Sequence, residues 1–289
     1  MRSWPGILIL LLAWPINAAA LPFSDEIHVA DEHNSEWHFS GTKVKCELRH
    51  EIPGFGTAYF LRRAGQTLSF HIDSFQPTPS AVDAELREVS PAWVYDEPDL
   101  LVESVTLNIG LRPLLLKRKQ ATRILASLDR GMLSSIDFPD WDDARKRVHL
   151  QLSPVYFQTP YQDFRKCLKQ LPAKGFADYR LTEVHFPLDI HDLNEDSRMV
   201  IRKLAEFVKA DGEIKRIKIS GHADDQGSRK YNLRLSERRS QSVSDFLLAN
   251  GVENNLLSKY HYGESRPKVR GRTERARSVN RRADIELEK

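Results

Sequence analysis

Gly221-His222-Ala223-Asp224-Asp225-Gln226-Gly227, followed by Asn232, Leu235, Ser236 and Arg239, reads as the end of a strand, a sharp turn and a helix. Before it, Ile217 and Ile219 alternate with Arg216 and Lys218, which predicts a half-buried strand over Ile214 to Ser220. Gly221 and Gly227 bracket the turn. The helix is predicted to run to about Asn250, with Gly251 as its stop. Asp224 therefore sits just past the C-terminal end of a strand. Arg239 follows about four helical turns later, so the two meet only if the helix folds back beside the turn. A carboxylate and a guanidinium held together in this way form a receptor for a zwitterion. The carboxylate takes an ammonium, and the guanidinium takes a carboxylate bidentately. The alternative is an ordinary structural ion pair.

Around this stretch the pattern alternates between strand and helix. A strand is predicted near Thr182 to Phe186. A helix from about Asn194 to Lys209 follows, with Val200, Ile201, Leu204 and Val208 inward. The closing strands are Leu257 to Tyr262 and Ala283 to Leu287. On the long helix Leu235, Ser242, Val243, Phe246 and Leu247 form the expected buried stripe. This alternation implies an α/β sandwich. Between Arg266 and Arg282 stand eight basic residues and one acidic one, Glu274. The run has no interleaved aromatics to stack on bases, and the whole chain carries only +3, so nucleic acid is not expected as a partner. It reads as a solvated loop that favours an anionic polymer.

Residues 1–20 read as a secretory signal. Arg2 is followed by a short apolar core, Ile7 to Ala13, and Ala18-Ala19-Ala20 supplies the small residues for cleavage after Ala20. The core is far shorter than the ~20 residues that span a bilayer. The expectation is export to the periplasm. From Leu21 to about Gln170 the pattern is mainly β. Strands are predicted at Lys43 to Arg49, Ala58 to Phe60, Leu68 to Ile72, Val102 to Ile109 and Val148 to Leu152, and helices at Lys119 to Leu128 and Tyr161 to Leu171. Pro172-Ala173-Lys174-Gly175 reads as a hinge. The expected division is 1–20 signal peptide, 21–171 a β-rich domain with a few helices, and 172–289 the α/β domain. The two cysteines, Cys46 and Cys167, are expected to form a disulfide in an oxidising compartment. Two buried free thiols are the alternative.

Four motifs of the second domain occur in one order: Gly221-His222-x-Asp224-x-x-Gly227, Asn232-x-x-Leu235-Ser236-Glu237-Arg238-Arg239, Tyr262-Gly263-Glu264-Ser265-x-Pro267 and Asn280-Arg281-Arg282. Together they resemble the OmpA-like peptidoglycan-binding domain, over about Leu181 to Leu287. The resemblance implies that Asp224 and Arg239 bind the two ends of diaminopimelate in a wall stem peptide. It also implies that Asn232 lines the same pocket and that Arg281 and Arg282 contribute. The chain departs from the family in having Ala223 where Thr is usual, which removes one hydroxyl.

In the first domain, Cys46-Glu47-Leu48-x-His50-x-Ile52-Pro53-x-Phe55-Gly56-x-Ala58, then Arg63-Ala64, Phe138-x-x-Trp141, and Leu152-Ser153-x-Val155-x-Phe157-Gln158-x-x-Tyr161-x-x-Phe164-x-x-Cys167, resemble the MotY family of flagellar T-ring proteins. That family has an intramolecular disulfide, which the two cysteines fit. The resemblance implies a non-enzymatic protein around the basal body, possessing no cofactor or metal. Its partners would be peptidoglycan, the flagellar basal body, stator proteins and a second T-ring protein such as MotX, in a ring oligomer. The rival reading is a non-flagellar cell-wall anchor. An enzyme reading would use His222, Asp224 and Asp225 as metal ligands, but no His-Glu-x-x-His pattern completes such a site. The loop around Pro53 to Phe55 is the expected partner-contacting surface of the first domain.

Overall fold

The computed structural model describes residues 24–289 apart from 32, 92–93 and 95–98. The signal segment 1–20 and its cleavage site lie outside the described residues. The elements run β1 (Ser24–Val29), β2 (Trp37–Gly41), β3 (Lys45–Ile52), β4 (Gly56–Arg63), β5 (Ser69–Ser74), β6 (Val82–Val89), β7 (Leu100–Leu107), β8 (Leu114–Leu116), α1 (Arg118–Asp129), β9 (Leu133–Pro139), β10 (Lys146–Leu152) and α2 (Gln158–Gln170). They continue as α3 (Phe176–Tyr179), β11 (Leu181–His185), α4 (Glu195–Ala210), β12 (Arg216–Gly221), α5 (Arg229–Ala249), β13 (Leu257–His261), α6 (Glu274–Asn280) and β14 (Arg282–Glu288).

The first part is mainly β, as its pattern implies. One sheet has the order β2-β3-β4-β5-β8, antiparallel throughout, and the other the order β1-β10-β9-β6-β7. Cys46, Leu48, His50 and Ile52 alternate inward on β3, and Phe60, Phe70 and Ile72 extend that face. Leu86, Ile136, Phe138 and Leu150 of the second sheet join the same core. Apolar stripes of α1 (Ile124, Leu125, Leu128) and α2 (Phe164) close it. Burial of each such side chain contributes roughly 1.5–3 kcal/mol. Cys46 and Cys167 are disulfide-bonded, with Cα atoms 6.0 Å apart and a separation of 121 positions in sequence, which joins β3 to α2. Closing a loop of that length stabilises by about 4–5 kcal/mol in the chain-entropy account. Phe55 of the expected contact loop turns inward, its ring centroid 6.4 Å from that of Phe138, so that loop is pinned rather than free.

The second part is a single sheet, β11-β14-β12-β13, with α4 and α5 on one face. Ile217, Ile219, Ala283 and Ile285 meet Ile201, Leu204, Val243 and Leu247 in its core. Val200 points outward, 42% exposed, while Ala205 and Phe207 take the inward places beside Leu204 and Val208. Asn194 caps α4 by accepting from the Ser197 amide at 2.9 Å, and Ser228 caps α5 through the Tyr231 amide at 3.2 Å. Gly251 ends α5 at φ +84°. The basic run is not wholly loop: α6 forms inside it, capped by Thr273 on the Ala276 amide.

The stretch read as a hinge is docked. The Gly65 amide donates to the Pro172 carbonyl, Arg63 pairs with Glu213 at 2.8 Å, and a Cβ on Gly175 would fall 1.8 Å from the Ala64 carbonyl oxygen. Val44 and Ala64 of the first part are buried in the core of the second.

Candidate functional site

The candidate site forms where β12 ends. A Cβ on Gly221 would lie 1.9 Å from the Ser236 carbonyl oxygen, so only glycine lets the strand pass this close to α5. That approach brings the turn against the helix. The Ala223 amide donates to the Gly263 carbonyl, the Gly263 amide donates to the Ser236 hydroxyl at 2.9 Å, and Asn232 Nδ2 donates to the Asp224 carbonyl at 3.1 Å. The same Asn232 amide donates to Glu264. Three quoted motifs thus converge on one turn.

Asp224 is 5% exposed. Its Oδ1 accepts from the Gln226 amide at 3.1 Å, and its Oδ2 accepts from Arg281 Nη1 at 3.0 Å. Arg281 precedes β14, whose N-terminal end lies beside the C-terminal end of β12 because the two strands are antiparallel. Arg281 also donates to Glu274 Oε1 at 2.7 Å and to the Phe186 carbonyl. Burial opposes its charge, but the bonds to Glu274 and Asp224 hold the guanidinium above its usual value. On the rim, Asp225 is kept below the ordinary carboxylate range first by the hydrogen bond from Arg277, at 2.7 Å.

Arg239 is fully buried on α5. Its Nε donates to the Ile190 carbonyl at 3.0 Å, Nη1 to His222 at 2.8 Å and Nη2 to Pro187 at 3.1 Å, and it lies over the Phe186 ring. Among the described residues no carboxylate comes within 4.0 Å of it. Burial pulls its guanidinium down to about 10, against the raising field of Asp224. Three of five N–H donors are used, which leaves one on each terminal nitrogen. Arg239 therefore clamps the Pro187–Ile190 loop to α5 while keeping a two-pronged donor beneath it.

The structure brings Asp224, Asn232 and Arg281 into direct contact and sets Arg239 against the next turn residue, His222. Arg282 goes elsewhere: its Nε pairs with Asp284 Oδ1 at 2.9 Å, and His222 Nε2 meets the other oxygen at 3.1 Å. Burial alone would raise Asp284, but His222 and Arg282 hold it below the ordinary value. Sequence reasoning assigned no role to Glu264 or Glu274. Glu264 stood inside a quoted motif. Glu274 was noted only as the one acidic residue of the basic run. Among the described residues no cluster of His, Cys, Asp and Glu could hold a metal, and no helix is long and apolar enough to cross a membrane.

Comparison with known proteins gives two family matches along the chain. A family model described as the MotY N-terminal domain matches residues 28–172, half of the chain, and one described as the OmpA family matches 185–281. The sodium-type flagellar protein MotY of Vibrio parahaemolyticus is 25% identical over 295 residues, spanning 99% of this chain and 98% of that protein. The peptidoglycan-associated lipoprotein of Buchnera aphidicola is 35% identical over 102 residues, which is 35% of this chain and 58% of that relative's length. Among solved structures, the peptidoglycan-associated lipoprotein from Burkholderia pseudomallei aligns over 37% of this chain and 89% of its own, at 26% identity and a TM-score of 0.36. By its first half, and with an OmpA-family segment behind it, this chain belongs to the MotY family.

Proposed function

We infer that the chain is a flagellar motor component that binds peptidoglycan in the periplasm and does no chemistry on it. The 172–289 domain grips the wall, and the 21–171 domain associates with the basal body and stator units as part of the T ring. The observation that carries the wall-binding reading is the buried Asp224 carboxylate at the end of β12, with Arg239 packed against the same turn inside an OmpA-family segment. Asp224 accepts the ammonium of a diaminopimelate side chain. The two remaining N–H groups of Arg239 donate to its carboxylate once the Pro187–Ile190 loop moves aside. Asn232 and Arg281 hold Asp224 in place, and Arg282 supports the turn through Asp284 and His222. The flagellar role rests on the MotY family match. A protein fixed at both wall and motor raises the effective concentration of stator units near the rotor.

Co-sedimentation of the chain lacking residues 1–20 with purified sacculi tests the first half of this reading. The wild type should pellet. Asp224→Asn, which keeps the shape of the site but removes the charge, should stay in solution while remaining folded. Equal pelleting would remove Asp224 from the binding site. A fluorescent fusion tests the second half, since it should gather at flagellar bases rather than over the whole envelope.

A further inference from the structure

The docked junction leaves a cleft outside the wall site, backed by the core of the second part. It has a volume of about 810 Å³ and lies between the β2–β3 turn, the 172–174 segment and the C-terminal half of α4. Its floor is apolar: Pro172 and the half-buried Tyr179, which stacks on the buried Phe207 with ring centroids 4.9 Å apart, beside the buried Val44. Its walls carry Lys43, Lys174, Lys203 and Lys209 against one carboxylate, Glu206. Among the described residues none of these four ammonium groups has a carboxylate within 4.0 Å. A second cavity of about 730 Å³ adjoins it between β2 and α2 and shares Thr42, Lys43 and Pro172.

We propose that this cleft is a docking site for an acidic peptide segment that also carries apolar side chains. Four like charges around one depression repel one another, and an incoming polyanion relieves that repulsion. A free phosphate would leave the aromatic floor uncovered, and the volume suits a ligand several times its size. A bilayer is flat and cannot enter a concavity whose two walls belong to different domains. The joined cavities form a run suited to an extended chain, whose carboxylates meet the lysines while its apolar side chains cover Pro172 and Tyr179. The walls are held before anything binds, because the Gly175–Ala64 contact and the Arg63–Glu213 ion pair fix the junction. Little ordering of the protein backbone is therefore needed for docking.

The test is fluorescence anisotropy of the chain lacking residues 1–20 with a short labelled peptide of alternating Glu and Leu, and with its Gln-for-Glu analogue. The Glu peptide should bind, and should weaken as salt is added. The Gln peptide should not bind, and inorganic phosphate should displace the Glu peptide no better than chloride at equal ionic strength. The double variant Lys43→Glu/Lys203→Glu should lose about tenfold or more in affinity. Lys146→Glu, on β10 outside the cleft, should bind as the wild type does. All three exposed lysines can be replaced without touching a core, and thermal melting checks this. Absence of Glu-peptide binding at low salt, equal binding of the Gln analogue, or unchanged affinity in the double variant would each overturn the proposal.

Discussion

Arg281 Nη1 lies 3.0 Å from Asp224 Oδ2, with both side chains buried. The carboxylate that the sequence marks as a receptor for an ammonium thus already has a cation beside it. Removing Arg281 would strand that charge. Arg281→Ala is expected to cost about 3 kcal/mol in urea unfolding. The double variant Asp224→Ala/Arg281→Ala should lose clearly less than the sum of the two single losses. Additive losses would show that the pair is not coupled.

Arg239 replaces water for three backbone carbonyls, of Pro187, Ile190 and His222. A lysine has one nitrogen and cannot reach all three, so Arg239→Lys leaves buried acceptors without donors. The expected result is a loss of about 2–3 kcal/mol, with faster amide exchange across residues 187–190 than in the wild type. Unchanged exchange in that loop would mean that Arg239 does not hold it.

His50 is fully buried, stacked on Trp37 at 4.5 Å, with Nδ1 2.9 Å from the Glu36 carbonyl oxygen. Burial pushes its imidazole below the ordinary 6.5, and His71 is lowered for the same reason. Below 6.5 the unfolded chain takes up a proton that the folded chain refuses. Stability due to His50 is therefore present above that value and is lost as pH falls towards the lowered folded value, by at most about 1.4 kcal/mol per pH unit. Unfolding free energies measured between about pH 7 and pH 5 should fall more steeply in the wild type than in His50→Phe. Parallel curves would count against this.

Gly175 has an ordinary negative φ, so its requirement is for space alone. Gly175→Ala puts a methyl group into the Ala64 carbonyl and should cost about 1–3 kcal/mol. The junction should also loosen, seen as faster limited proteolysis near residues 172–175. A variant as resistant as the wild type would show that the junction tolerates a shift there.

The strand–turn–helix stretch was legible because three independent local signals agreed. Ile217 and Ile219 set the period of β12, glycines bracketed the turn, and Gly251 closed α5 at a positive φ. Other elements were hidden by polar residues in inward places. In β9, Ser134, Ser135 and Asp137 are buried, and Asp137 is matched by His149 at 2.9 Å from β10, a tertiary pairing that no local pattern carries. The seven-residue α6 was masked by its cations, of which Arg277 is held by Asp225 some fifty residues away. At the site, residue types were readable but their partners were not. Nothing in the spacing of Asp224 and Arg239 shows that one is met by Arg281 and the other by backbone carbonyls.

The second sheet has the order β11-β14-β12-β13, so its last strand in sequence is an inner one, hydrogen-bonded to both β11 and β12. While the chain is being made, β11 has no neighbour and Asp224 has no Arg281 until β14 arrives. The second domain therefore closes in a late, long-range step, and its contacts of high sequence separation slow that step. Until then an unpaired strand edge and an apolar face are open to other chains. The site is finished by the same event that finishes the fold, so no partly folded form carries a complete Asp224 turn.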